Sequence, residues 1–303
     1  MSTPRSSPLV LGPILPGDWP TSRTDPSYEG YSRAIVDAAS TLLESIHASV
    51  ESGQGPWTKG KSFHDSTFPT QTYSSTSHPA PGAGDTQHLK WHVRQSRHAP
   101  GGEPSVAYDE FRFGLFEHHS EHEKEYIDDC TRAEQVEAIK PGEMEIWKML
   151  YHQPFPATNR SFTFLIATVE PNPSAPPGSR SFIVVSIPVA HPDAPPEKGY
   201  VRGRYVSVEE CKEQGQEVVW TMAVSSDPGG MVPNFLSEKV MPSKISEDVP
   251  SFLNWIKDQN VPRRTSSTAQ TVGSTDPSST TTTATTTGDA APSLPPLQDS
   301  GAL

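Results

Sequence analysis

Long hydrophobic runs are missing from this 303-residue chain. Its most apolar stretches are short, such as Phe182 to Ile187, and none approaches the roughly 20 residues that a membrane-spanning helix needs. No membrane span is expected, although transient contact with a bilayer is compatible with that. A secretory leader is not evident either: Leu9, Val10 and Leu11 are followed at once by Gly12 and Pro13, where an apolar run of about 7 to 15 residues would be required. The expected compartment is the cytoplasm, with unconventional export as the alternative. Cysteine is scarce. Cys130 and Cys211 are the two in the chain, and without CxxC or Cys/His spacing they read as reduced structural thiols, not as a disulfide framework or a zinc knuckle. Positive charge is in deficit, with 24 Lys+Arg against 36 Asp+Glu and a net charge of −12. No summed positive field exists to attract nucleic acid.

Proline is abundant instead, 32 of the 303 residues, about twice the usual ~5% share. That points to one globular domain with Pro-rich loops and ends. From Val261 the composition shifts: 16 of the 23 residues from Thr265 to Thr287 are Ser or Thr, and no aromatic residue follows Trp255. Such a segment buries too little apolar surface to offset its ordering entropy. Residues 261–303 are expected to be a disordered Ser/Thr/Pro-rich tail and residues 1–24 a loose N-terminus, which leaves a domain over residues 25–260.

Within it, Asp25-Pro26 offers a helix start, and Ile35, Ala39, Leu42, Leu43, Ile46 and Val50 recur at helical spacing toward Gly53. Short strands are expected over Thr58 to Phe63 and Gln71 to Ser75. Leu89, Trp91 and Val93 alternate with Lys90, His92 and Arg94, the pattern of a strand with one face buried. Ser105 can cap a second helix with Tyr108, Phe111, Leu115, His119, His122 and Tyr126 on one face. Four strand-like runs follow, Phe162 to Val169, Ser181 to Val189, Tyr200 to Val208 and Glu217 to Ser225. Their linkers are too short for crossover helices, so antiparallel pairing is expected. A last amphipathic region carries Ile245, Val249, Phe252, Leu253 and Ile256, with Pro242 and Pro250 as interruptions.

His118-His119-Ser120-Glu121-His122 fits the HxxEH pattern of inverted zinc peptidases. The simpler reading is a polar surface turn, because zinc would need a further ligand such as Glu197 or Glu209 from far downstream. No metal or cofactor and no catalytic residue is assigned. No P-loop, GxSxG or GxGxxG opens a helix after a strand.

Several strings together carry a resemblance: WHVRQSRH (Trp91 to His98), the helix from Ser105 to Ile127, EIWKMLYHQPFPATNRSF (Glu145 to Phe162), SFIVVSIPVAHP (Ser181 to Pro192), GYVRGRYVSVEE (Gly199 to Glu210) and WTMAVSSDPGGMVPNFL (Trp220 to Leu236). Over about Tyr28 to Asn260 the chain resembles the fungal START-like domain first catalogued as a domain of unknown function, within the START/Bet v1 (SRPBCC) superfamily. PFPATNRSF resembles the START pattern of a proline turn before R-D-F, with Ser161 where Asp is common. DPGGMVP resembles the approach to the C-terminal helix. The resemblance implies an α+β helix-grip fold, a curved antiparallel sheet around a long C-terminal helix. It also implies a cavity for a hydrophobic small molecule or lipid, such as a sterol, phospholipid, ceramide or polyketide.

The expected function is non-enzymatic binding or transfer of such a molecule by a monomer. Apolar strand faces supply the expected lining: Trp91, Phe164, Ile166, Trp220 and Met222, with Phe235 and Leu236 from the last helix. The competing reading is a solid core. Arg94, Arg160 and Arg204 are candidate head-group ligands, because an inward guanidinium must be paired; for Arg204 and its face-mate Arg202 the alternative is a wet face. Asp227, Gly229 and Gly230 form the expected gate. Two rivals stand beside this. A cyclase-like enzyme of the same fold would need an acid/base pair, for which His92 and Tyr205 are the candidates. An exported interaction protein would act at a host or neighbouring cell surface, with the Thr-rich tail as a stalk.

Overall fold

The computed structural model describes residues 7–64, 68–75, 90–99, 106–155, 157–231, 234–259 and 261. Leu89, Ser105 and the tail beyond 261, on which expectations were placed, lie outside them.

Helix α1 (Tyr28–Ser52) buries the stripe Ile35, Ala39, Leu42, Leu43 and Ile46 and stops at Gly53, whose φ of 66° suits glycine. Asp25 starts it from outside: its Oδ1 accepts from the Ser27 amide at 2.9 Å and the Ser27 hydroxyl at 2.7 Å. Strands β1 (Thr58–Phe63), β2 (Thr70–Ser75) and β3 (Trp91–His98) follow. Next come α2 (Tyr108–Phe111), a π-helical stretch (Arg112–Phe116) and α3 (His119–Tyr126). Strands β4 (Cys130–Lys140), β5 (Met144–Tyr151), β6 (Arg160–Val169), β7 (Ser181–Pro188), β8 (Val201–Arg202), β9 (Arg204–Gln214) and β10 (Glu217–Asp227) precede α4 (Asn234–Ile256). The sheet runs β1-β2-β3-β10-β9-β7-β6-β5-β4 with antiparallel neighbours, while the two-residue β8 lies parallel to β6. This is the helix-grip architecture that the resemblance implied.

Both faces of the sheet are covered, and this corrects the one-sided reading of β3. One face carries α1 together with Trp91, Val93, Leu165, Val185, Val206 and Ala223. The other holds Phe111, Phe164, Phe182 and Trp220 against Phe252, Leu253 and Ile256 of α4. With a helix on each side, β3 is buried at seven of its eight positions, and alternation of polarity no longer reports burial. Trp91 therefore packs under α1, not on the face toward α4.

Residues 7–24 also depart from expectation. Leu9, Leu11, Ile14 and Trp19 are buried in the α1-side core, and Ile14 bridges to Val189. Apolar anchoring at four positions orders a segment that has no period of its own.

Two further departures are local. The expected second helix is broken after Phe116, where Glu117 turns extended and His118 takes a φ of 49°. Residues 130–151, which carried no expectation, form the β4–β5 hairpin. β4 is an edge strand made largely of helix-favouring residues and buried at only two of its eleven positions, so pairing with β5 overrides local propensity. In α4 the helix runs through Pro242 and Pro250 without stopping, held by its buried stripe, and the Ser246 hydroxyl donates to the Pro242 carbonyl at 2.7 Å.

Gly114, in the π-helical stretch, is where α4 comes closest. A Cβ there would overlap Phe252 Cε2 and sit 2.9 Å from Trp255 Cζ3. Gly114→Ala is expected to cost about 1–3 kcal/mol by urea denaturation, as overpacking does; an unchanged midpoint would show that α4 moves aside freely. No helix among the described residues is long and apolar enough to cross a membrane.

Candidate functional site

Between the α4-facing side of the sheet and α3 and α4 lies a cavity of ≈110 Å³. Strand period and helix period each deliver specific side chains to it. Arg94 comes from β3, Tyr151 from β5, Val184 and Ser186 from β7, Tyr205, Ser207 and Glu209 from β9, and Met222 from β10. On α3, His119, Glu123 and Tyr126 recur at i, i+4 and i+7, and Asp248 closes the wall from α4.

The Arg94 side chain is 1% exposed and its guanidinium lies 3.8 Å from the Trp220 ring centroid. Nη2 donates to Glu209 Oε1 at 3.1 Å and stands 4.0 Å from Asp248 Oδ2. Glu209 Oε1 also accepts from the Trp220 indole at 2.7 Å. Arg94 Nε and Nη1 have no hydrogen-bond partner among the described residues, a costly state for a buried donor.

Opposite them, Glu123 Oε1 accepts from the Tyr151 hydroxyl at 2.6 Å, and Glu123 Oε2 stands 3.7 Å from His119 Nε2. Burial raises the Glu123 carboxyl above its ordinary value, against the opposing pull of His119 and the Tyr151 bond. Burial also pushes the Asp248 carboxyl up to about 7, with Arg94 opposing and Glu123 and Glu209 adding to the rise. The phenols of Tyr126, Tyr151 and Tyr205 are raised well above the ordinary value, chiefly by burial.

The Asp248 shift has a measurable sign. Its folded pKa lies above the unfolded one, so the folded state holds the extra proton and stability falls as pH rises from about 4 to about 7. Asp248→Asn is expected to gain on the parent chain across that window, by about 1–2 kcal/mol at pH 8 once screening at a side chain 28% exposed is allowed for. A stability difference independent of pH in urea titrations would contradict this.

The cavity brings together Arg94 and Met222 from the expected lining. Trp220 lies directly beneath Arg94, and Phe164 packs on Tyr205 with ring centroids 4.9 Å apart. The others are elsewhere. Ile166 lines a separate ≈410 Å³ groove that includes His118, Glu121 and Trp147 and shares His119 with the cavity wall. Arg160 is buried at the start of β6, donates to the Thr158 carbonyl and does not line the cavity. Arg204 forms a partly exposed ion pair with Asp227 at 2.6 Å.

Phe235 and Leu236 are 67% and 46% exposed, because the inward stripe of α4 is the later series Ile245, Val249 and Phe252. In the loop before α4, Asp227 Oδ1 accepts from the Gly229 amide at 2.9 Å, and Gly229 and Gly230 both hold positive φ. A Cβ on Gly229 would overlap the Arg202 backbone oxygen, so this turn needs glycine there for both conformation and space.

Neither rival motif is assembled as its spacing suggested. His118 caps α3, its carbonyl accepting from the His122 amide at 3.0 Å and its ring 5.9 Å from that of His122, but its side chain is 71% exposed and its Nδ1 lies 2.8 Å from Glu121 Oε2, the glutamate that the motif would need for water. His122 instead packs on Phe113 and Trp255. His92 is buried away from the cavity, its imidazole lowered to about 4 by burial, and does not meet Tyr205. Cys130 and Cys211 are buried and unpaired. The residues that sequence reasoning missed are His119 and Glu123 as wall residues, Tyr126, Tyr151 and Asp248; Glu209 had been weighed only as a zinc ligand. The i, i+4, i+7 series on α3 was the one available signal.

A family model described as "Protein of unknown function (DUF3074)" matches residues 91–256. The "Uncharacterized protein C577.11" of Schizosaccharomyces pombe is 28% identical over 250 residues, covering 80% of this chain and 90% of its own. Among solved structures, human STARD10 superposes with a TM-score of 0.51 at 16% identity, over 70% of this chain and 79% of that one. Human StAR-related lipid transfer protein 5 gives 0.51 at 13% identity, over 73% and 97%. At these identities the similarity speaks to the fold alone.

Proposed function

This chain belongs to the DUF3074 family and has a START-like fold, and from that premise we propose that it binds and transfers an amphipathic small molecule without changing it covalently. The polar end would sit in the cavity beneath α4 and the apolar part against Phe116, Trp147 and Ile166, the apolar side of the otherwise polar groove that shares His119 with it. The observation that carries this reading is Arg94, a buried guanidinium that lines the cavity and has two unpartnered nitrogens. A fold that bears the cost of such donors gains when a ligand supplies the acceptor. The inner cavity is smaller than the ~300–1,000 Å³ usual for whole ligands, so it suits a head group, and entry requires α4 to move.

The turn at Asp227, Gly229 and Gly230 is the proposed hinge, since its glycines tolerate backbone change. Exposed Met231, Phe235, Leu236 and Val240 lie next to it along the chain and would touch a bilayer transiently during loading. Named in these terms, the partner would be a lipid-like molecule, bound by a monomer in the cytoplasm; residues 25–260, together with the N-terminal segment packed on them, would be the working unit.

Native mass spectrometry of protein purified from its own host is expected to find a co-purifying apolar molecule. Ligand-free protein that also takes up no fluorescent sterol, phospholipid or fatty acid would overturn the proposal. A second reading, a cyclase-like enzyme, draws on the Glu123–Tyr151 hydrogen bond, an acid/base couple inside the cavity. The transfer reading expects bound ligand to be recovered at unchanged mass after prolonged incubation; a changed mass would favour the enzyme.

A further inference from the structure

The cavity is unbalanced in a way that specifies its guest. It is walled by three carboxyl groups, Glu123 from α3, Glu209 from β9 and Asp248 from α4, against a single guanidinium. His119 on α3 is the other basic side chain in the wall, and the phenols of Tyr126, Tyr151 and Tyr205 complete its titratable groups; Glu247 adjoins Asp248. Arg94 is already committed to Glu209 through Nη2. A fourth acidic group brought by a ligand would satisfy Nε and Nη1 but would crowd the three carboxyls. A neutral oxygen acceptor satisfies the same nitrogens without that repulsion. The surplus carboxyls in turn favour a cation, and each charge-assisted hydrogen bond is stronger than a neutral one.

We propose that the ligand's polar end is an amino alcohol, with a protonated amine facing Glu123 and Asp248 and an oxygen two or three bonds away accepting from Arg94. This rests on the reading of the cavity as a ligand site. A space of ≈110 Å³ matches a head of a few heavy atoms, given that one water occupies about 30 Å³ of liquid. In the empty protein, burial holds Glu123 and Asp248 toward their neutral forms. An ammonium ion entering between them stabilises the carboxylates, so binding releases protons.

Isothermal calorimetry on the full chain at pH 6, where Asp248 still holds its proton, tests this with three probes of one chain length: 2-(dodecylamino)ethanol, 1-dodecanol and dodecanoic acid, each below its micellar concentration. The amino alcohol is expected to bind about tenfold or more tighter than either of the others. It should also release protons, seen as a heat that differs between two buffers of unlike ionisation enthalpy. Glu123→Gln and Asp248→Asn should each erase most of that preference, lowering amino alcohol affinity far more than 1-dodecanol affinity. Dodecanoic acid binding as tightly as the amino alcohol would overturn the inference and leave the proposed function standing, with Arg94 taking an anion. Binding of none of the three would overturn the inference and count against the cavity as a ligand site.

Discussion

Trp220→Ala is expected to lower the stability of this protein by about 3–5 kcal/mol, the range for truncating a buried aromatic. At roughly 2–4 °C per kcal/mol for a domain of this size, the melting temperature should fall by about 6–20 °C. Trp220 is fully buried, with ring contacts to Phe111 at 5.6 Å and Phe252 at 5.2 Å. Its indole N–H donates to Glu209 and its face supports Arg94. The truncation therefore leaves a cavity and also releases the two charged groups that line the site. Trp220→Phe should recover much of the stability, because it keeps the ring, but not the ligand affinity, because Glu209 loses a donor. Differential scanning calorimetry with parallel ligand titration separates the two effects. A loss under about 1 kcal/mol for Trp220→Ala would mean that α4 does not close on this part of the sheet as described.

Arg94→Met is expected to be comparably severe, about 3–5 kcal/mol, because it strands Glu209 as an uncompensated buried carboxyl. The double variant Arg94→Met/Glu209→Gln should recover part of the loss, since removing both partners of a buried pair costs less than removing one. Trp220, Arg94 and Glu209 touch one another, so their effects should fall well short of additivity in a double-mutant cycle. Ligand uptake should be lost in both Arg94 variants even where the fold survives. If Arg94→Met unfolds no more easily and binds as before, the guanidinium is neither paired nor used as described.

The contrast with Arg160 shows how far residue type carries an argument. Both arginines occupy strands and both are buried, yet only Arg94 reaches the cavity. Arg160 donates from Nη1 to the Thr158 carbonyl, which the preceding turn places beside it, and its Nε is left without a partner among the described residues, away from the cavity. Likewise, β4 was illegible because an exposed edge strand buries too little to impose a period on its sequence.

What the sequence determined by itself was periodicity and order. The stripe of α1, the four strand-like runs between Phe162 and Ser225, the inward series of α4 and the strings that resemble the START-like family supplied the main elements and the fold, although the run Tyr200 to Val208 divides into β8 and β9 at Gly203. What only the tertiary structure decided was which face met which helix and which distant groups met one another. Alternation says that Trp91 and Arg94 point to opposite sides, but not that α1 covers one side and α4 the other. The break at His118 turns α3 so that Glu123 approaches Tyr151 on β5, Arg94 comes from β3 and Asp248 from α4, residues separated by as many as 154 positions in the chain. Short-range pattern records a residue's own burial; convergence of seven elements on one space is a property of long-range packing, and no local signal encodes it.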